Sequence, residues 1–205
     1  MAITLYGVGP SRSFRCLWAL AEAELEHDFV ALELNGTGTD GAKSDEYLKL
    51  NPQGKVPSLK HDGFVLTESA AILNYIDAIS EKLFIPTDVK MRARYDELAF
   101  FVLSELEQPL WTTGKHKFAI PQKHRVEQIF TTAKWEFEKA LEAFSKLASI
   151  NKFVLGDSFT FADILVAQTF NWADRFGFDV APEYLDYRDD MYARKGAIAA
   201  IARFN

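Results

Sequence analysis

Through the first 80 or so residues the apolar positions alternate between two spacings. ITLYGV (Ile3 to Val8) is a short apolar run that predicts a strand. Phe14, Leu17, Trp18 and Ala21 recur at helical spacing and predict a helix over Ser13 to Leu25. Phe29 to Leu34 returns to the strand period. Val30, Leu32 and Leu34 would line its fully apolar face, and Phe29, Ala31 and Glu33 a face that the Glu33 charge leaves only partly buried. Glu46 to Leu50 is at most a short helix. Val56 to Leu59 and Phe64 to Leu66 predict two short strands joined by HDG, a hairpin turn. From Glu68 to Ile79 the helical pattern resumes, with Ala71, Ile72, Tyr75 and Ile76 on one face. The order β-α-β-α-β-β-α describes a small α/β domain over residues 1–82. Its first βαβ makes a parallel pair and its hairpin adds an antiparallel edge.

LFIPT (Leu83 to Thr87) reads as a linker, and beyond it the strand signal ends. Tyr95, Leu98, Ala99, Val102, Leu103 and Leu106 form one helix face, which Pro109 is expected to stop. Val126, Ile129, Phe130, Ala133, Phe137, Ala140, Leu141, Phe144 and Leu147 form a second. SFTFAD opens a third, with Thr160 as N-cap, Asp163 as its capping-box partner and Phe159 with Ile164 as hydrophobic staple. Residues 88–205 therefore read as an all-α helical domain.

Composition narrows the function classes. With 205 residues, 48% of them hydrophobic, the chain is long enough for two cores. A net charge of −6 carries no electrostatic footprint for nucleic acid. The single cysteine, Cys16, excludes an internal disulfide framework and a paired-thiol redox motif. No apolar run approaches the ~18 residues of a membrane span, and MAITLYGVGPSRSFR lacks the form of a signal peptide. A cytoplasmic protein is expected. His27, His61, His116 and His124 show no metal-site pattern, so no metal is expected.

Two local features do not fit a plain structural reading. GKVPSL (Gly54 to Leu59) puts Pro57 where a strand should begin, although proline gives a sheet no N–H. Either Pro57 is a trans residue on an exposed edge strand, or it is a device. Eleven residues later Glu68 and Ser69 open a helix, whose free N–H groups suit a carboxylate but are also where ordinary caps sit.

LYGVGPSRSFRCLWAL, NPQGKVPSL, LTESAAI and GDSFTFADI, in that order, resemble the glutathione transferase family across essentially the whole chain, nearest to bacterial and fungal members with an S-R-S stretch after the first strand. The resemblance implies a thioredoxin-like N-terminal domain that binds glutathione and an all-helical domain that supplies a pocket for a small hydrophobic electrophile. It also implies a homodimer and a detoxifying type of conjugation. In the family the residue matching Pro57 is cis, and Val56 then pairs its backbone with the cysteinyl unit of glutathione as one more antiparallel rung. Ser69 binds the γ-glutamyl carboxylate and Glu68 its ammonium. Lys55 reaches the glycine carboxylate. Lys43 is a second such cation or a solvated lysine, and Gln53 is a further candidate.

A free thiol has a pKa near ~8.5 and reacts as its thiolate, so the protein must lower that pKa. Relatives do so with a hydroxyl or backbone N–H at the start of the first helix. Ser11, four residues before Arg15, matches the activating serine. Ser13 is the rival, or else the helix N-cap. Arg12 is an alternative or additional donor, and Tyr6 is placed behind Ser11. Cys16 lies a turn too deep to match the cysteine of thiol–disulfide exchangers and reads as a packed side chain. Isomerases of the family carry S-S-C-S where this chain has Arg12 in place of the cysteine. Phe101, Leu106, Trp111, Phe118, Phe170 and Trp172 are candidates for an apolar wall, though most aromatics at helical spacing are core. The basic run KHKFAIPQKHR (Lys115 to Arg125) is a solvated loop or an attractor of anionic electrophiles. Besides conjugation, peroxide reduction, dehalogenation, ether cleavage, isomerisation and a non-catalytic binding role remain open.

Overall fold

A computed structural model describes residues 2–204. It separates into two compact units, residues 1–84 with 193–205 and residues 85–192, and the division falls inside the LFIPT stretch.

In the first unit the chain runs β1 (Ile3–Gly7), α1 (Ser13–Glu22), β2 (Asp28–Ala31), α2 (Asp45–Leu50), β3 (Ser58–His61), β4 (Phe64–Thr67) and α3 (Ser69–Ile79). This is the thioredoxin-like order expected. The sheet order is β2-β1-β3-β4. β1 pairs parallel with β2, while β1–β3 and β3–β4 are antiparallel. The alternation of β1 places Ile3, Leu5 and Gly7 inside, and α1 covers them with fully buried Leu17, Trp18 and Leu20.

β2 departs from its expected burial. It is an edge strand that ends at Ala31, and Val30 on the face expected to be buried is 37% exposed. On the opposite face only Phe29 is covered, its ring edge-on to Phe204 at 6.2 Å, while Ala31 is exposed.

Phe204 belongs to a segment that the sequence assigns to the helical domain. Residues 193–205, including α9 (Lys195–Ala202), pack with the first unit instead. Glu22 at the end of α1 receives a two-pronged contact from Arg194, Nε and Nη2 each at 2.8 Å, and accepts the Trp18 indole N–H at 3.0 Å. A side chain at Gly196 would meet the Glu22 carboxyl carbon at 2.7 Å, so glycine lets α9 approach α1.

The second unit contains α4 (Val89–Phe101), α5 (Gln108–Gly114), α6 (Ile129–Leu147), α7 (Phe161–Phe176) and α8 (Pro182–Tyr192). Pro109 does not stop a helix as expected. The run from α4 passes into a wider π-type turn over Val102–Leu106, and Pro109 sits in the first turn of α5, where its missing N–H is not needed. α7 is buried nearly all round, from Phe161 to Ala173, and forms the centre of this unit. Thr160 and Asp163 form the reciprocal capping box at its start. Asp163 is fully buried and takes four donors: the N–H groups of Val154 (2.8 Å) and Thr160 (2.7 Å), the Thr160 hydroxyl (3.0 Å) and the Tyr187 hydroxyl (2.7 Å). Burial pushes its carboxyl above the usual range even against these bonds. Among the described residues no helix is long and apolar enough to cross a membrane.

Candidate functional site

Strand register gathers the singled-out residues of the first unit at one end of the sheet. Ser58 pairs with Tyr6 on one side and Thr67 on the other. The residues just before Ser58, just after Thr67 and just after Gly7, where β1 ends, therefore leave the sheet at the same end. These are the Val56–Pro57 step, the Glu68–Ser69 helix start and the turn leading to Ser11.

The Val56–Pro57 peptide is cis. Val56 is half-buried, and its backbone N–H and carbonyl enter no hydrogen bond among the described residues. Opposite it, Glu68 occupies the N-cap position of α3 at φ 66°, ψ 115° and makes no side-chain cap bond. That conformation costs an L-residue about 1–3 kcal/mol and needs support from its surroundings. The N–H groups of Ser69, Ala70 and Ala71 are likewise unbonded among the described residues, as the first turn of an uncapped helix requires. The end of the sheet thus offers one open backbone edge and one electropositive helix start.

The α1 side of the site is a tight turn. The Ser11 hydroxyl donates to the Val8 carbonyl at 2.7 Å, lies 3.0 Å from the Ser13 hydroxyl, and accepts the Ser13 N–H at 3.1 Å. Ser13 is fully buried as the first residue of α1, and its oxygen accepts the Val8 N–H at 3.2 Å. It is not the N-cap; Arg12, half-buried, holds that position. Of the two hydroxyls only Ser11 is partly exposed. Cys16 is fully buried, and its surroundings push the thiol well up, so it stays a protonated, packed side chain. Fully buried Arg15 reaches the Ser69 hydroxyl at 3.4 Å and ties α1 to the start of α3.

Lys43, Gln53 and Lys55 meet along the loop before β3. The Lys43 ammonium donates to the carbonyls of Gly54 (2.6 Å) and Gln53 (3.3 Å), so it binds the loop as well as facing solvent. Gly54, at φ 58°, has no room for a side chain beside that ammonium. The Gln53 amide lies 3.5 Å from Glu68. The Lys55 side chain is exposed, while its carbonyl is held by two buried residues that sequence reasoning missed. Tyr47 donates its hydroxyl at 2.6 Å and Asn51 its amide at 2.8 Å. Asn51 is the first residue of the NPQGKVP motif, but nothing in the motif reveals which carbonyl it serves. Tyr47 resembles any apolar-face aromatic until the fold brings it to the loop.

In the second unit the candidate apolar wall divides. Leu106, Phe170 and Trp172 are core, Phe101 and Trp111 are half-buried, and Phe118 is 51% exposed. In the basic run Lys115 to Arg125, the side chains of Arg125, His116 and Lys117 are engaged with backbone groups. Arg125 donates to the carbonyls of Lys117 (2.8 Å), Ile120 (3.0 Å) and Phe118 (3.3 Å), and His116 accepts the Val126 N–H at 3.0 Å. Lys117 reaches the Phe176 carbonyl at 3.5 Å.

Comparison with known proteins gives the arrangement a context. Residues 1–78 match the family model described as glutathione S-transferase, N-terminal domain, and residues 108–194 that described as glutathione S-transferase, C-terminal domain. Maleylacetoacetate isomerase of Dictyostelium discoideum is 33% identical over 180 residues, covering 84% of this chain and 79% of that protein. Glutathione S-transferase hmp2 of Hypomyces subiculosus is 27% identical over an alignment of 217 residues, covering 98% of this chain and 99% of that protein. A glutathione transferase homolog from Sulfitobacter, crystallised with bound glutathione, superimposes with a TM-score of 0.84 at 26% identity, covering 98% of each chain.

Proposed function

Because the chain belongs to the glutathione S-transferase family, we propose that it is a glutathione-dependent enzyme whose Ser11 hydroxyl stabilises the bound thiolate for attack on a small hydrophobic electrophile. The observation that carries this reading is the open Val56 backbone beside the uncapped start of α3. The γ-glutamyl carboxylate sits on the first N–H groups of α3 and the Ser69 hydroxyl, and Glu68 takes the ammonium. Val56 pairs with the cysteinyl backbone. Lys55 faces the glycine carboxylate, with Lys43 and Gln53 shaping its loop.

The thiol then lies towards the Ser11 turn. Ser11 turns its proton from the Val8 carbonyl to the sulfur, and the thiol proton leaves to solvent. The start of α1 adds a favourable field worth a fraction of a kcal/mol up to ~2. Ser11 holds the thiolate, with Arg12 as an alternative or additional donor; Ser13 keeps the turn closed. The thiolate forms a carbon–sulfur bond as the leaving group departs with its electron pair. The helical unit supplies the electrophile pocket, and the enzyme works as a cytoplasmic homodimer. No metal takes part in this chemistry.

The name of the Dictyostelium relative favours a second reading, glutathione-dependent isomerisation of an unsaturated diacid. There the thiolate adds to the double bond, the adduct rotates, and elimination returns the thiolate unchanged. Against it, Arg12 occupies the place of the cysteine in the isomerases' S-S-C-S run.

Thiolate absorbance of bound glutathione, titrated with pH in the wild type and in Ser11→Ala, tests the first reading. A bound pKa below the free value that rises again in the variant is expected. Absence of glutathione binding would sink it. Turnover of a chloronitrobenzene against that of a cis-unsaturated diacid then separates conjugation from isomerisation.

A further inference from the structure

The Lys55–Val56 peptide carries a constraint that the ligand contacts alone do not require. Its carbonyl is gripped by two donors, the Tyr47 hydroxyl at 2.6 Å and the Asn51 amide at 2.8 Å, both from residues only 3% exposed. Each donor is itself braced. The Tyr47 hydroxyl also meets the Ser58 hydroxyl at 2.8 Å, which ties it to the first residue of β3, and the Asn51 oxygen accepts the Gln53 N–H at 3.1 Å. The Tyr47 and Tyr6 rings stand 6.1 Å apart, with Tyr6 in β1. Burial pushes the Tyr47 phenol above its ordinary range, which keeps it an O–H donor.

The one cis bond among the described residues is Val56–Pro57, so the Lys55–Val56 peptide is trans. A trans peptide is planar, with its C=O and N–H pointing in opposite directions. Holding the Lys55 carbonyl against α2 therefore aims the Val56 N–H away from α2. That N–H is the one with no partner within the chain among the described residues.

We propose that Tyr47 and Asn51 are a positioning pair which, through the shared Lys55 carbonyl, fixes the direction of the Val56 N–H for a peptide-backbone carbonyl of the ligand. The inference rests on the glutathione reading above and adds two residues that do not touch the ligand. It differs from a packing role in one respect: loss of the Tyr47 hydroxyl should weaken the Val56 rung specifically, and not the contacts at Glu68 or Ser11.

Glutathione titrated calorimetrically into the wild type and Tyr47→Phe, with exchange of the Val56 amide followed in both complexes, provides the test. In the wild type, glutathione should slow exchange of the Val56 amide. Tyr47→Phe should bind about three- to tenfold more weakly, the range of one neutral hydrogen bond. Its Val56 amide should gain less protection at saturation, and the pH midpoint of the bound thiol should stay at the wild-type value. Equal affinity and equal Val56 protection in Tyr47→Phe would overturn the pair. So would a wild-type complex in which glutathione binds without protecting Val56, and that result needs no variant to fold. A wild type that does not bind glutathione at all would instead overturn the functional reading beneath it.

Discussion

Helices α3 and α7 begin alike in sequence, each with a Thr, an acid and a small polar residue near its first turn, and they end up opposite in character. At α7 the capping box is closed. Asp163 is buried and the Thr160 N–H, the Thr160 hydroxyl, the Val154 N–H and the Tyr187 hydroxyl all converge on it. At α3 the N-cap residue Glu68 is exposed, strained at φ 66° and makes no cap bond, and the first three N–H groups are left over. A helix start that satisfies itself stabilises the fold. One that is left unsatisfied suits an anion and costs stability until its N–H groups find partners. On the proposed reading, the molecule uses the same end of the same element once for folding and once for recognition.

The largest way to break the comparison is at α7. Asp163→Ala removes the acceptor of four donors and should cost roughly 3 kcal/mol, or about 6–12 °C in the melting midpoint of a chain this long. Thermal unfolding followed by circular dichroism checks it, and a midpoint unchanged from the wild type would refute the folding role. The folded fraction should still bind glutathione with wild-type affinity.

Glu68→Gly reverses the sign. Glycine relieves the positive φ, so stability should hold or rise by up to about 1 kcal/mol, while loss of the acidic side chain weakens glutathione about tenfold. Paired melting and calorimetric titration measure both, and a variant that lost stability without losing affinity would contradict the assignment of α3 to binding. At the α1 turn, Ser11→Ala should raise the pKa of the bound thiol by about one unit, or ~1.4 kcal/mol, and lower the melting midpoint by about 2–4 °C for the turn bonds it loses.

The smallest effect is in pH. Asp163 has a folded-state pKa raised above its ordinary 3.8, mainly by burial. A raised pKa contributes stability that is complete below the unfolded value and is lost as pH rises through the folded one. The stability advantage of the wild type over Asp163→Asn, whose side chain does not titrate, should therefore shrink as pH rises above 3.8. Chemical denaturation at a series of pH values would show this, and an advantage that grew with pH would mean that hydrogen bonding outweighs burial at that carboxylate.

Much of this contrast was legible before any coordinates. Thr160 and Asp163 lie three apart, and a local rule identifies them. The motifs around Pro57 and Glu68–Ser69 carry the family resemblance, and the family is the one that the comparisons show. Less legible were features made by distant partners. Pro109 reads as a stop in any linear scan, yet the π-type turn before it lets the proline begin a helix. Val30 looks like a core residue by alternation alone, but edge position exposes it. The basic run Lys115 to Arg125 reads as a solvated loop or an attractor of anions, and nothing in it announces that Arg125 is held by three backbone carbonyls.

By itself the amino-acid sequence determined the element order of the first domain, the two-part architecture, the capping box and the residues to suspect, because each depends on neighbours within a few positions or on a motif short enough to recognise. Only the tertiary structure decided that residues 193–205 return to the first unit, since the Arg194–Glu22 pair spans 172 positions. It alone separated Ser11 from Ser13, by burying one and leaving the other within reach of solvent. It alone put Tyr47 and Asn51 on the Lys55 carbonyl. Burial, register and the direction of a single N–H are set by what the chain packs against, and a linear pattern holds no record of that.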